Sequence, residues 1–254
     1  MARLWLDLAL GLGIGLALGL LGGGGSILTV PALVYLIGQS PQAAMTTSLA
    51  IVGANSLMGV TFHNAHGAVQ WRVALIFGGA GMIVAYFAAG LSRYFSPSVL
   101  LVAFALLMFI VGAAMLTYIP PAENTRADAS PNWPVVLITG AGVGLLTGFL
   151  GVGGGFLITP ALVMLVRLPM SQAIGTSLLI IAANSLAGLL GHLKDGAPDT
   201  GLILTFGLAG LAGTWAGAQL AHYLPVHRLR QGFAVFVFLL AILVLADNLP
   251  KLLA

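Results

Sequence analysis

The sequence predicts an all-α polytopic membrane protein made of two homologous repeats. Each repeat has a Gly-broken or re-entrant first helix followed by three membrane helices. Composition is the first observation behind this. Of 254 residues, 59% are hydrophobic and only 6% charged, against about 25% charged in a soluble domain. The second is run length, since the charge-poor stretches reach the ~20 residues a helix needs to cross a bilayer. The third is self-similarity. Gly11 to Gly67 aligns with Gly140 to Gly196 without a gap, at an offset of 129 residues, with roughly half of the positions identical.

The first repeat, residues 1–119, opens with an apolar helix at 4–21. Its start carries a single basic residue, Arg3, and no small-x-small cleavage site ends the run, so it is expected to be retained. The tract Gly22-Gly23-Gly24-Gly25-Ser26 then breaks the helix, because each Gly costs about 1 kcal/mol relative to Ala in a helix interior. A short apolar piece follows at 27–37, and helices at 42–62, 71–92 and 97–118. Residues 120–133 form a polar linker with Glu123, Arg126 and Asp128. The second repeat, residues 134–254, runs through the same series: 134–150, the tract Gly151-Val152-Gly153-Gly154-Gly155, 156–166, 171–191, 200–222 and 227–247. Trp5, Trp71 and Trp133 fall near predicted ends, as an interfacial aromatic belt requires, while Trp215 falls inside a segment.

The pieces at 27–37 and 156–166 span about 16 Å as helix, roughly half a bilayer. If each completes a crossing, every repeat crosses an even number of times and the repeats are parallel. If each folds back, the count is odd and the repeats are inverted. Inversion is the expectation, because broken segments entering from opposite faces then meet at the midplane, as in many transporters. The nine Lys and Arg divide about evenly in either scheme, so they fix no orientation.

What the repeats share is less the bulk hydrophobes than the small and polar residues within them. Unwound backbone at membrane depth is tolerated only where protein buries it or it lines a cavity. The helix after each break begins near Ser26 and Phe156, with first-turn amides that lack intrahelical acceptors at the positive end of the dipole. Gly22, Gly23, Gly24, Gly25 and Ser26, with Gly151, Gly153, Gly154 and Gly155, are therefore candidates for an anion site built without Lys or Arg. Close helix packing explains the scattered Gly11, Gly13, Gly15 and Gly19 equally well. Thr47 and Ser48, then Asn55 and Ser56, share one helix face, as do Thr176 and Ser177, then Asn184 and Ser185. A mid-membrane Asn needs a ligand, a freed carbonyl or a neighbouring helix. These eight complete the candidate substrate-binding set. His63 and His192 end the same helices and are candidates for proton coupling or gating, or for simple contact with headgroups. Cysteines are absent, and no His-x-x-x-His or paired carboxylate lies within a span. No metal, cofactor, nucleic-acid partner or enzymatic activity is therefore expected.

The doubled pattern resembles the TauE/SafE family, also called the sulfite exporter or toluene-sulfonate uptake permease family. The second half carries it best, with Leu150-Gly151-Val152-Gly153-Gly154-Gly155, Pro160, Ala173-Ile174-Gly175-Thr176-Ser177-Leu178 and Asn184-Ser185. The first half departs at Thr46, where the family usually has Gly, and at Ser26. The Arg-rich patch that many members carry before the helix at 71 is thin here, with His63-Asn64-Ala65-His66. The resemblance implies transport of small sulfur anions, sulfite or organosulfonates, across a bacterial inner membrane. The expected mechanism is a rocking of two pseudo-symmetric halves about a central site. The rivals are an anion channel with the same site and a non-transport membrane subunit in sulfur metabolism.

Overall fold

The structure is a computed structural model that describes residues 2–21, 23, 25–64, 69–117, 132–150, 154–192, 199–221 and 226–253. Gly22, Gly24, Gly151 and Gly153, the 120–131 stretch and the side chain of His63 lie outside the described residues. Ten α-helices follow one another: α1 (Ala2–Leu21), α2 (Ser26–Pro31), α3 (Pro41–Asn64), α4 (Trp71–Leu91), α5 (Pro97–Thr117), α6 (Trp133–Leu150), α7 (Gly155–Met164), α8 (Met170–His192), α9 (Thr200–Ala221) and α10 (Val226–Leu253). Five of them, α3, α4, α6, α8 and α9, are by length and apolar composition able to cross a membrane. Their large exposed side chains, among them Phe87, Ile138, Leu208 and Leu75, give the helices an outer apolar face suited to lipid.

The predicted short piece at 27–37 divides into α2 and a π-helical turn, Ala32–Leu36. Its end is a wide helix stop, with Ile37 N–H donating to Ala32 O at 3.1 Å and Gln39 N–H to Leu33 O at 2.9 Å. The stop after α7 is the same: Val166 N–H donates to Ala161 O and Leu168 N–H to Leu162 O. Such a stop needs one residue with positive φ. Gly38 supplies it at 81°, and Arg167 takes the corresponding place at 66°. The last helix runs to Leu253, beyond the predicted end at 247. Asn248 does not break it, because its buried amide donates to Val244 O at 2.9 Å and to the Tyr35 hydroxyl.

Each short arm folds back on the helix before it. Gly25 lies against Ile14 and Leu18 of α1, and Gly154 against Thr147 of α6. Leu33 and Ile37 then share a cluster with Ile14, Ala44, Leu202 and Phe206, so the arm returns to the level where α3 and α9 begin. Both arms thus turn back at their glycine breaks, the course that the re-entrant alternative expects.

Packing partners are exchanged between the two series. Along α1 and α9, Gly11 meets Phe206, Gly15 meets Gly210 and Gly19 meets Thr214. Along α6 and α4, Gly140 meets Phe77, Gly144 meets Gly81 and Gly148 meets Ala85. Rising numbers on both members make each pair parallel. Also parallel are α3 with α9, where Gly59 meets Thr214, and α8 with α4, where Gly78 meets Ile180 and Gly191 meets Ala89. The contacts between α3 and α8 run the other way: Leu49 beside Gly188, Gly53 beside Ser185, Gly59 beside Leu178. Two parallel three-helix bodies, α1/α3/α9 and α4/α6/α8, thus meet along one antiparallel seam. The α5–α10 pair, joined at Phe109 and Phe238 with ring centroids 4.5 Å apart, packs against α2 and α7.

A methyl group on Gly15 or Gly144 would overlap the backbone of Gly210 or Gly81, whereas one on Gly13 meets nothing within 4 Å. Gly15→Ala and Gly144→Ala are each expected to lower stability by about 1–3 kcal/mol through overpacking, with Gly13→Ala neutral. Thermal unfolding in detergent measures all three.

Candidate functional site

The two breaks meet. A methyl on Gly23 would overlap the backbone of Gly155, and one on Gly155 would overlap Gly23 and crowd Ile181. Ile181 lies at the middle of α8, one turn from Ser185, which faces Gly53 of α3. Backbone from both breaks is therefore brought together at half the depth of the central helices. Only two residues without side chains can approach so closely. Gly154 opens α7 in the left-handed region at φ 72°, and Ser26 turns α2 by donating its hydroxyl to Gly23 O at 2.8 Å. Some first-turn amides expected to face an anion are already used. Ser26 N–H donates to Gly23 O, Leu28 N–H to Gly25 O, and Leu157 and Ile158 N–H to Gly154 O.

Around this junction lies a set of buried polar atoms without partners. They are Asn55 Oδ1, Ser56 Oγ, both amide atoms of Asn184, and Ser185 Oγ, on residues at most 1% exposed. The Asn55 amide lodges against Gly210 of α9, and the Asn184 amide against Gly81 of α4. A buried polar group left unsatisfied costs about 1–3 kcal/mol. With neither end of its amide bonded, Asn184 forms no hydrogen-bonded clasp between helices. All these groups are neutral. Among the described residues no three His, Asp or Glu side chains gather as a metal site requires.

Of the other predicted residues, Thr47, Thr176, Ser177 and His192 are bonded, whereas the buried Ser48 Oγ is not. Thr176 Oγ1 accepts the backbone N–H of Gln70 at 2.9 Å, and Thr47 Oγ1 that of Asp199 at 3.4 Å. Gln70 and Asp199 stand immediately before α4 and α9. Each Thr thus holds the start of a helix from the other series, eight residues or about 12 Å along its own helix from the Asn. Asp199 also caps α9, its Oδ1 accepting Leu202 N–H at 3.1 Å. Ser177 donates to Ile174 O at 2.8 Å and accepts from Thr159 Oγ1 at 3.0 Å. His192 is buried rather than exposed at a headgroup level. Its Nδ1–H donates to Gly188 O at 3.0 Å, and Nε2 lies 3.2 Å from Ser92 Oγ, just past the end of α4.

From sequence, Gly81 and Gly210 read only as packing glycines, and Thr159 and Gln70 are not singled out. The signal for three of them was the repeat itself. Gly81 and Gly210 stand 129 residues apart, as do Gln70 and Asp199.

A family model described as "Sulfite exporter TauE/SafE" matches residues 7–244. The chain belongs to the TauE/SafE family. Curated relatives of this TauE/SafE protein include a "Probable membrane transporter protein" of Xylella fastidiosa (strain 9a5c). It is 35% identical over 245 residues, covering 93% of this chain and 92% of that protein. A "Probable membrane transporter protein" of Haemophilus influenzae is 28% identical, with 93% and 96% covered. The "Probable membrane transporter protein YdhB" of Bacillus subtilis is 24% identical, with 82% and 86% covered. No solved structure matches. The protein is a multi-pass membrane transporter of this family.

Thr176→Val keeps the shape of the side chain but removes the acceptor for Gln70 N–H. It is expected to lower the unfolding free energy by about 1–2 kcal/mol. Thr47→Val, which loses the longer bond, should cost less. Unfolding curves in one detergent rank the two.

Proposed function

We propose that this protein is a secondary transporter of small sulfur-containing anions, sulfite or organosulfonates, in a bacterial inner membrane, with its site where the two glycine breaks meet. The observation that carries the reading is the coincidence of three things at one depth: the Gly23–Gly155 junction, the middle of the α3–α8 seam, and the unpartnered Asn55, Ser56, Asn184 and Ser185. Neutral amide and hydroxyl donors suit an oxyanion. An acid at the same place would repel it, and among the described residues none is found there. The family's description as a sulfite exporter supports the sulfur-anion class. Export of an anion gains about 2.3 kcal/mol per charge per 100 mV from an inside-negative potential, so it can proceed without a coupled ion.

The antiparallel course of α3 and α8 supports inverted repeats, with residues 1–119 and 134–254 as the two units. It also changes which parts move. Backbone-close contacts tie α1 to α9 and α6 to α4, so the rocking bodies of an alternating-access cycle are α1/α3/α9 and α4/α6/α8 rather than the two halves of the sequence. The seam between them holds the site. His192, tying the end of α8 to Ser92, serves this cycle as a latch within one body, and His63 is its counterpart by position in the other.

Flux of labelled sulfite and sulfoacetate into proteoliposomes, at a fixed membrane potential and with or without a pH gradient, tests the assignment. Saturable flux with trans-stimulation is expected, and a channel would show no trans-stimulation. Absence of flux for both anions under every gradient would remove the substrate class. Asn55→Ala and Asn184→Ala are each expected to reduce flux about tenfold while the protein remains folded, the loss of one hydrogen bond to a charged ligand. Normal flux in both would misplace the site.

A further inference from the structure

We propose that Thr214 of α9 is a further hydroxyl donor to the transported anion, present on only one of the two bodies. The proposal rests on the transport reading above and adds a residue to its site. Thr214 is fully buried, and its Oγ1 has no hydrogen-bond partner. A threonine inside a helix ordinarily donates its proton to the carbonyl three or four residues before it. Thr29, Thr147 and Thr205 follow that course. For Thr214 the carbonyl four residues back is Gly210 O, which is covered by Gly15 of α1. Its proton stays uncommitted.

The register of three helices places this residue beside the site. Asn55 of α3 lodges against Gly210, and one turn further along both helices Gly59 lies against Thr214. A methyl on Gly59 would come within 3.3 Å of Thr214 Cγ2 and 3.1 Å of Leu178 of α8. Thr214 therefore stands at the corner where α3 and α9 of one body meet α8 of the other. Along the seam Gly53 faces Ser185 and Gly59 faces Leu178. Ile181, with Gly155 against it, is thus level with about Ser56 of α3. Thr214, level with Gly59, is about 5 Å along the axis from that junction. It is one turn, about 5–6 Å, from Gly210 and the Asn55 amide beside it. Two donors at that separation can both reach an oxyanion between them at the usual ~2.8 Å. Such bonds to a charged oxygen are stronger than neutral ones. The counterpart of Thr214, 129 residues earlier, is Ala85 of α4, which is buried and has no hydroxyl. The anion is then held by Asn55 and Thr214 on the α1/α3/α9 body, and by Asn184 with no hydroxyl at the corresponding corner on the other.

Two substitutions separate the hydroxyl from the rest of the side chain. Thr214→Val keeps the methyl against Gly59 and removes only the hydroxyl, while Thr214→Ser keeps the hydroxyl. In sulfite flux with proteoliposomes, Thr214→Val is expected to raise KM about tenfold, and Thr214→Ser to stay within about threefold of wild type. Thermal unfolding in detergent, which needs no substrate, distinguishes a free hydroxyl from a structural one. Thr214→Val should unfold at or above the wild-type temperature, because it removes a buried group that has no partner, unlike Thr176→Val. Saturable wild-type flux with Thr214→Val at the wild-type KM would overturn this inference and leave the transport reading in place. A KM for Thr214→Ser raised as much as that for Thr214→Val would trace the effect to packing and overturn it as well. A fall in Tm for Thr214→Val as large as that for Thr176→Val would show the hydroxyl to be bonded within the protein and remove the premise. No wild-type flux of sulfite or sulfoacetate would overturn the transport reading, and the assignment of Thr214 with it.

Discussion

The centre of this protein depends on backbone touching backbone where lipid can supply no hydrogen bond. Gly23 against Gly155, Gly15 against Gly210 and Gly144 against Gly81 are contacts that any side chain would prevent. In a bilayer the hydrophobic effect does not drive helices together, so close van der Waals approach carries much of the association. The glycine stripes of α1, α4, α6 and α9 bind the two three-helix bodies internally. The glycine breaks then bring the re-entrant arms to the seam. Without the first set the bodies would lose their close internal contacts, and without the second the two arms could not meet.

Several buried polar groups along the seam have no partner. Many other hydroxyls within the helices return their protons to nearby carbonyls, as Thr29 does to Gly25 O and Thr147 to Gly144 O, though Thr214 Oγ1 of α9 does not. Around the Gly23–Gly155 junction the pattern fails for several residues at once. That concentration is what motivates the site proposed above.

Much of the fold was legible in the sequence because apolar run length and glycine punctuation are strong signals in a membrane protein. Helix ends came out within a residue or two, except at Asn248, whose buried bonds to Val244 O and Tyr35 cannot be seen from polarity. The fold-back of the arms was one of two readings until Gly25 was found beside Leu18. Partner exchange was hidden, since a stripe of small residues marks a packing face but not the helix that meets it. In the site, the glycines and Asn residues stood out because they are repeated and polar in apolar surroundings. Thr47 and Thr176 shared that signal for another reason: their partners, Asp199 and Gln70, come from the opposite series. Thr159 escaped notice because it lies in an apolar piece and is not repeated.

The exchange of partners also sets an order of assembly. The helices of one body, α4, α6 and α8, are synthesised in near succession and can close on one another as they enter the membrane. The other body cannot. Its first member, α1, is complete at Leu21, but α9 begins only at Thr200. At about 5–20 residues per second, translation leaves that gap open for roughly 10–40 s. During that interval the small-residue face of α1, shaped for backbone-close contact, has only lipid or the insertion machinery beside it. The last-made body is thus the one begun first, and α1 is the part of the chain most dependent on being held until its partner arrives.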